Sequence, residues 1–500
     1  MSTSKEAAQK EYDQALTIAS QWHQRFIDMI QVKGSLDPSK AAHAVQQAED
    51  IYQNLLNSNY KDSRVIYQLG TLYMQTNRNG LAIHLLSPVC AASKDQGKSD
   101  PAMWNALGSA FRNEHCNEEA RLAFEEALKV TESPDVLTNL AALWVNEGFP
   151  ERGIPFARRA LELEPGHPQA KWNLGLLLLE NEEYDEGFAL YADGFNTGER
   201  IIRSYENKAG KEAPFWQGED LNGKTIVLHG EQGIGDELLF LQFVRPLLRR
   251  YPQVDLILDV HPRLHSLVQR SFPEIQDIFP TRKSAPTWND SRPVDYKDGL
   301  GSLPMYFHKE RAKEAWLVPD KVLVDKYRGI LLELQEESGL IGKPIVGISW
   351  EGGKKKTRTD LRSIDLCDLV PIVSNPSLFV SLQYTPYAEK DTSSLLDNEG
   401  LYVHHWPDVV EAFDYDHSVA LAAACDLVIT VNTSIVHACG SMGHPCWTLT
   451  PSGCAWRYGK GERMPFYQSV LQFRQREGHP WFPVIARVGN KLREEFRRAK

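Results

Sequence analysis

Three short stretches of this 500-residue chain gather residue types that can hold an anion or move a proton. The first is Gly233-Ile234-Gly235-Asp236-Glu237, which follows the run TIVLHG and opens an apolar-periodic stretch, LLFLQFVRPLLRRY. Glycines there permit close backbone approach, and a helix N-terminus favours negative charge. Asp236 is read either as a first-turn cap or as a functional carboxylate at the carboxyl end of a strand, where open α/β sheets bind ligands. The third glycine of a dinucleotide fingerprint is missing, and so is a Walker lysine. The second stretch is Asn432-Thr433-Ser434-Ile435-Val436-His437, after the run DLVITV. Polar residues at a helix start make an anion site from hydroxyls and free N–H groups, or simply cap the helix, and His437 is either part of that site or a satisfied helix histidine. The third runs from Gly352 through Lys354, Lys355, Lys356 and Arg358 to Arg362-Ser363, after PIVGISW. It is either a phosphate-facing loop or a solvated charge run. No H-E-x-x-H, no clustered His/Asp ligand spacing and no G-x-S-x-G elbow occurs, so neither a metal nor another cofactor is expected.

The elements that must position these stretches follow from composition and pattern. The length suggests roughly three domains. With 42% hydrophobic and 24% charged residues the chain is globular, not disordered. Against 66 Asp+Glu there are 55 Lys+Arg, a net charge of −11, which argues against a nucleic-acid partner. Seven scattered cysteines without a C-x-x-C pair read as reduced thiols. No apolar window is long enough for a membrane span, and the first residues lack a signal-peptide core, so a cytoplasmic location is expected. From Thr225 onward, β-branched runs (TIVLHG, VDLILDVH, PIVGISW, SLFVSLQY, DLVITVN, PCWTLTP) alternate with helical stretches, the pattern of two doubly wound α/β domains. Expected boundaries are a linker over 197–224, α/β domains over 225–335 and 336–475, and a helical tail over 476–500.

Before the linker, residues 1–196 read as a helical repeat array, with clear repeats over about 63–195. Four segments align on Gly70, Gly108, Ala141 and Gly175, spaced 38, 33 and 34 residues apart. Tyr73, Phe111, Trp144 and Leu178 follow in phase, and Ala82, Ala120 and Gly153 occupy the second helix. A period near 34 is that of the tetratricopeptide repeat, an all-α superhelix whose concave face holds protein segments.

In order and at similar spacing, PFWQGEDLNGKTIVLHGEQGIGDELLF, GISWEGG, RSIDL, FVSLQ, DLVITVNTSIVHACGSMGHPCWTL, WRYG and FYQSVLQFRQ resemble the heptosyltransferase-like glycosyltransferases of family 9, especially those fused to tetratricopeptide repeats. The resemblance covers about Pro214 to Trp481. It implies a GT-B pair of Rossmann-like domains that uses a nucleotide-sugar donor and no metal. Carried over by position, Asp236 becomes the general base, with Gly233, Gly235 and Glu237 on the acceptor-side loop. Lys354, Arg358, Arg362, Gln383, Asn432, Thr433, Ser434 and His437 fall on the donor and phosphate side. The family usually has Asp where this chain has Asn432. Two readings stand beside an active enzyme with a protein acceptor, of which flagellin-type glycosylation is one instance, and the first of the two rests on that departure. One is a non-catalytic repeat scaffold. The other is a lipopolysaccharide heptosyltransferase-like enzyme.

Overall fold

The computed structural model describes residues 2–31, 37–59, 62–352 and 359–496. It divides into two compact units, Met1–Trp144 with Arg152–Ala170, and Val145–Glu151 with Lys171–Lys500.

The repeats are helical hairpins: α1 (Ser2–Gln31) with α2 (Pro38–Ser58), α3 (Ser63–Gln75) with α4 (Asn79–Asp95), α5 (Pro101–Asn113) with α6 (Asn117–Val130), and α7 (Pro134–Glu147) with α8 (Pro150–Leu163). Asp37, Asp62 and Asp100 cap their helices by accepting first-turn N–H groups. Within each hairpin the aligned small residue sets the approach. A Cβ on Gly70 would lie 3.1 Å from Leu86, and one on Gly108 only 2.6 Å from the Phe124 ring. The next unit has Ala141 instead of Gly, with Ala157 instead of a large residue sixteen places on, both fully buried. Seven residues past each small residue the chain turns with positive φ, at Asn77 (58°), His115 (60°), Gly148 (76°) and Glu182 (66°). Only one of these four is glycine, so the others carry left-handed strain.

The fifth hairpin, α9 (Pro168–Glu180) and α10 (Tyr184–Tyr191), corrects the expected 196/197 boundary. It packs as a layer of the α/β unit. Trp172, Leu179, Phe188 and Tyr191 share one core with Trp216, Phe240 and Trp456. Phe188 meets Trp456 edge-on at 5.6 Å, and Tyr191 lies 6.2 Å from Phe240. A repeat hairpin cannot bury both faces alone, and here the second face is covered by aromatic side chains of the sheets' loops.

Two parallel sheets follow. β1 (Thr225–His229), β2 (Asp255–Asp259), β3 (Asp277–Phe279) and β4 (Tyr296–Gly299) lie in the order β3-β2-β1-β4. β5 (Ile345–Ser349), β6 (Leu378–Ser381), β7 (Leu427–Val431), β8 (Cys446–Thr450), β9 (Arg463–Met464) and β10 (Tyr467–Arg474) lie in the order β6-β5-β7-β8-β10-β9, with β9 antiparallel. Strand order therefore reverses beside β1 in one sheet and beside β5 in the other. These are the switch points at which doubly wound sheets hold ligands, and the three stretches singled out by sequence follow β1, β5 and β7.

Three other expected boundaries shift. The stretch read as a linker is a packed strap: Tyr205, Ala213 and Trp216 are buried, and the Trp216 N–H donates to the Lys297 carbonyl at 3.0 Å. The helix Lys321–Glu337 serves the second sheet, because the Tyr327 hydroxyl and His417 Nδ1 are 2.6 Å apart and Arg328 donates to the Ala424 carbonyl at 2.8 Å. The terminal helix Phe482–Glu495 is a layer of that domain, with Val484, Ile485, Val488 and Leu492 buried. Apolar faces in all three segments find a sheet to cover.

The two sheets meet where the helix Ile234–Leu241 packs on the helix Ser434–Met442. A Cβ on Gly235 would come 2.9 Å from His437 Cδ2 and 3.4 Å from Ser434 Cα. His437 is 4% exposed, its Nδ1 lies 3.4 Å from the Tyr467 hydroxyl, and burial brings its pKa down to about 4. Among the described residues no helix is long and apolar enough to cross a membrane.

Three expectations follow from this packing. In the third hairpin, Gly108→Ala should destabilise the protein by about 1–3 kcal/mol, while His115→Gly should stabilise it by roughly 0.5–1 kcal/mol. Urea unfolding of the two variants, monitored by helical circular dichroism, checks both signs. A fragment of residues 168–500 should purify as a folded protein, whereas one of residues 213–500 should aggregate because it loses the aromatic cover of α10. Size-exclusion chromatography of both fragments decides this. His437 has a folded pKa of about 4, below the ordinary 6.5. The unfolded chain therefore binds the proton first, and stability held above pH 6.5 is lost as pH falls toward 4. His437→Gln should flatten that part of the pH–stability curve; identical slopes in variant and parent would refute it.

Candidate functional site

The seam between the sheets collects residues from all three stretches. Asp236 sits in the first turn of its helix. One carboxylate oxygen, Oδ2, accepts the Gly233 N–H at 3.0 Å, closing the turn as a cap does. The other, Oδ1, is ion-paired with Arg457 Nε. The cap reading thus accounts for one oxygen, and the other is held by a guanidinium. The carboxylate remains 20% exposed. Beside it, Gln232 Oε1 accepts the Tyr191 hydroxyl at 2.6 Å and faces Arg457 Nη2 at 3.4 Å.

Across the seam, Thr433 occupies the N-cap position of the helix Ser434–Met442 with extended backbone and makes no side-chain cap hydrogen bond. Its methyl packs toward Gly352, where a Cβ would lie 2.4 Å from Thr433 Cγ2, so the β5 loop can pass only as glycine. Ser434 Oγ accepts the Tyr415 hydroxyl at 2.9 Å. Arg362 Nη1 donates to the Asn432 carbonyl at 3.1 Å, tying the cationic stretch to the β7 loop. Asn432 is 2% exposed, and its Oδ1 accepts the Thr448 and Thr450 hydroxyls at 2.9 and 3.2 Å. In that buried place an amide keeps the hydrogen-bonding shape of a carboxylate without burying a charge.

Some sequence-selected side chains turn away from the seam. Gln383 is fully buried and braces the β5 loop: its Oε1 accepts the Trp350 and Glu351 N–H groups at 3.0 and 3.1 Å, and its Nε2 donates to the Glu351 carbonyl at 2.9 Å. That side chain has no face left for a donor molecule. Glu237 points beneath its own loop, accepting the His261 N–H at 2.7 Å and pairing with Arg282 at 3.0 Å. Burial nevertheless raises its pKa to about 7. His437 is the packing face opposite Gly235. Lys354 and Arg358 lie outside the described residues.

Arg457, Gln232, Tyr191 and Tyr415 were not singled out by sequence reasoning. Arg457 stands in the WRYG segment that carries the family resemblance, but nothing local marks an arginine there as the partner of a carboxylate more than two hundred residues earlier. Among the described residues no group of three or more His, Cys, Asp or Glu is placed to hold a metal ion.

No family model matches the chain. It is 26% identical over 446 residues to Protein FlbA of Caulobacter vibrioides, an alignment covering 84% of this chain and 71% of that protein. A solved structure of a family 9 glycosyl transferase from Veillonella parvula is similar over 56% of this chain and 99% of its own, at 11% identity and a TM-score of 0.41. MamA, also a solved structure, is similar over 33% of this chain and 94% of its own, at 18% identity and a TM-score of 0.28. The fold itself is an all-α tetratricopeptide-type array followed by a GT-B-type pair of Rossmann-like α/β domains.

Proposed function

We propose that the α/β pair is a glycosyltransferase that moves a sugar from a nucleotide-sugar donor to an acceptor, without a metal. The observation that carries this reading is the junction at Gly235, which sets Asp236 and Arg457 beside the uncapped N-terminus of the helix Ser434–Met442. A carboxylate within reach of ligand is a base for an acceptor hydroxyl. A helix N-terminus with neighbouring guanidinium groups is a binding place for a leaving diphosphate.

In the proposed reaction the acceptor oxygen attacks the anomeric carbon and its proton passes to Asp236. The bond from that carbon to the phosphate oxygen breaks, and the nucleoside diphosphate departs with the electron pair. The N–H groups at Thr433–Ser434 and the Arg362 guanidinium are proposed to stabilise that charge. Arg457 is proposed to exchange its pairing with Asp236 for the diphosphate, which frees the base when donor is present. Asn432 then keeps the β7 loop in shape through Thr448 and Thr450 rather than supplying charge. The repeat array is proposed to recruit a protein acceptor, flagellin-type substrates being one class, and the seven free thiols suit a reducing cytoplasm.

Two measurements test this. A nucleoside diphosphate should raise the melting temperature in the presence of EDTA, and Arg457→Ala should weaken that binding about tenfold. Asp236→Asn should lower the transfer rate on the order of 10²-fold or more without weakening nucleotide binding, since it frees Arg457 for the diphosphate. If the parent protein binds none of ADP, GDP, UDP or CDP, the chain is a repeat scaffold and not a transferase.

A further inference from the structure

A cavity of about 250 Å³ opens in the second unit, between the end of α10, the strap and the helix Leu303–Phe307. The buried Asp298 and Arg200 form its floor with Ser302, the rings of Phe215, Trp216 and Tyr306 its walls, and the exposed Ile202 and Met305 stand at its mouth. It is set apart from the seam by Tyr191 and Arg200. The Tyr191 hydroxyl reaches Gln232 beside Asp236, and the Arg200 guanidinium lies 5.1 Å from the centre of the Tyr191 ring.

The floor holds more carboxyl groups than cations. Arg200, fully buried, donates from Nε and Nη2 to Glu231 Oε1 at 3.0 and 2.8 Å, and from Nη2 to Ser302 Oγ at 2.9 Å. Its charge is therefore matched by Glu231. Asp298 is 4% exposed, and its Oδ1 accepts the Ser302 hydroxyl at 2.6 Å and the Gly299 N–H at 2.7 Å. Among the described residues nothing donates to its Oδ2, and the cation that acts on it is Arg200, which reaches it through Ser302 and which Glu231 already shares. Lys297, on the same strand, is turned to Glu212 and to the Arg203 carbonyl, and its ammonium already covers one face of the Phe215 ring at 4.8 Å, which leaves Trp216 and Tyr306 as the rings open to a further cation. Asp193 adds another carboxylate to the lining, with Lys171 4.0 Å away.

Aromatic ring faces attract cations, and two buried carboxyls that share one guanidinium, as Asp298 and Glu231 share Arg200, gain from a second cation. The apolar mouth suits methylene groups behind a charged head. We propose that this cavity binds an alkylammonium group, a primary ammonium on a methylene stem, with Asp298 Oδ2 as its acceptor. Such a group is carried by a small amine or by a lysine side chain. The inference stands independently of the transfer reaction.

Protonation gives the site a signature. Burial raises Asp298 to about 7, so in the empty cavity the carboxyl changes charge near neutrality. The other titratable groups facing it are Arg200, Glu231, Tyr306 and, through the Asp298 backbone, His229. Burial raises Glu231, pushes Tyr306 up to about 12 and pulls His229 down to about 3. A cation binds the ionised carboxylate, so its affinity should increase with pH through about 7 and then level off.

The test is calorimetric titration of the full chain with n-butylammonium chloride, with acetyl-lysine methylamide, and with methyl glucoside and butyrate as neutral and anionic controls. n-Butylammonium should bind, and Asp298→Asn should weaken it about tenfold or more and flatten the pH dependence. Met305→Lys, at a site 41% exposed and so harmless to folding, should also weaken it by placing a cation at the mouth. Binding of both ammonium compounds supports a lysine side chain as the occupant, and binding of n-butylammonium alone supports a small amine. Failure of n-butylammonium to bind the parent, equal binding to Asp298→Asn, or preference for methyl glucoside would each overturn the proposal.

Discussion

The contact of Gly235 with His437 and Ser434 governs the α/β unit. A side chain of any size at 235 would push apart the two helices that join the sheets, since even a methyl group there would come 2.9 Å from the imidazole. With the glycine in place, the loop after β1 and the loop after β7 become neighbours. Asp236, Arg457, Arg362 and the start of the helix Ser434–Met442 then fall into one locality, although they come from four separate parts of the chain. The proposed chemistry needs this approach more than it needs any single charged group, because a base and a phosphate site are useful only within one substrate's length of each other.

Around this junction the structure uses buried polar side chains as braces. Gln383 shapes the β5 loop, Glu237 with Arg282 holds the underside of the β1 loop, and Arg200 with Glu231 fixes the strap to the first sheet. Buried pairs of this kind add little net stability, yet removing one partner is costly because the other is left uncompensated. They therefore act through geometry. Asp298 differs from them: its Oδ1 is bound and its Oδ2 is not, and it opens onto a cavity instead of a packed wall.

The last repeat hairpin shows how one sequence pattern can serve two packing roles. α9 and α10 keep the small-residue spacing and the positive-φ turn of the array, at Gly175 and Glu182. Their outer rings, Tyr184, Phe188 and Tyr191, nevertheless pack on Phe466, Trp456 and Phe240. Phe240 belongs to the first α/β domain and Trp456 and Phe466 to the second, so this hairpin is part of the core that both domains share. Periodicity identified the hairpin correctly, but it could not tell which neighbour would bury its second face.

The local features were legible from the residues alone. Repeat period, strands after Thr225, and the three loops that follow β1, β5 and β7 depend on near neighbours in the chain: small residues opposite large ones, β-branched runs, glycines before helix starts. The same local reasoning left Asp236 balanced between cap and functional group, and Ser434 and His437 between site and structure. Which neighbours these side chains meet, and the pairings of Arg457, Tyr191, Tyr415 and Asp298, were decided only by the tertiary structure. Charge pairing and burial join residues that are remote in sequence, and no local pattern records which arginine will meet which carboxylate or which polar side chain will be turned inward once the sheets close.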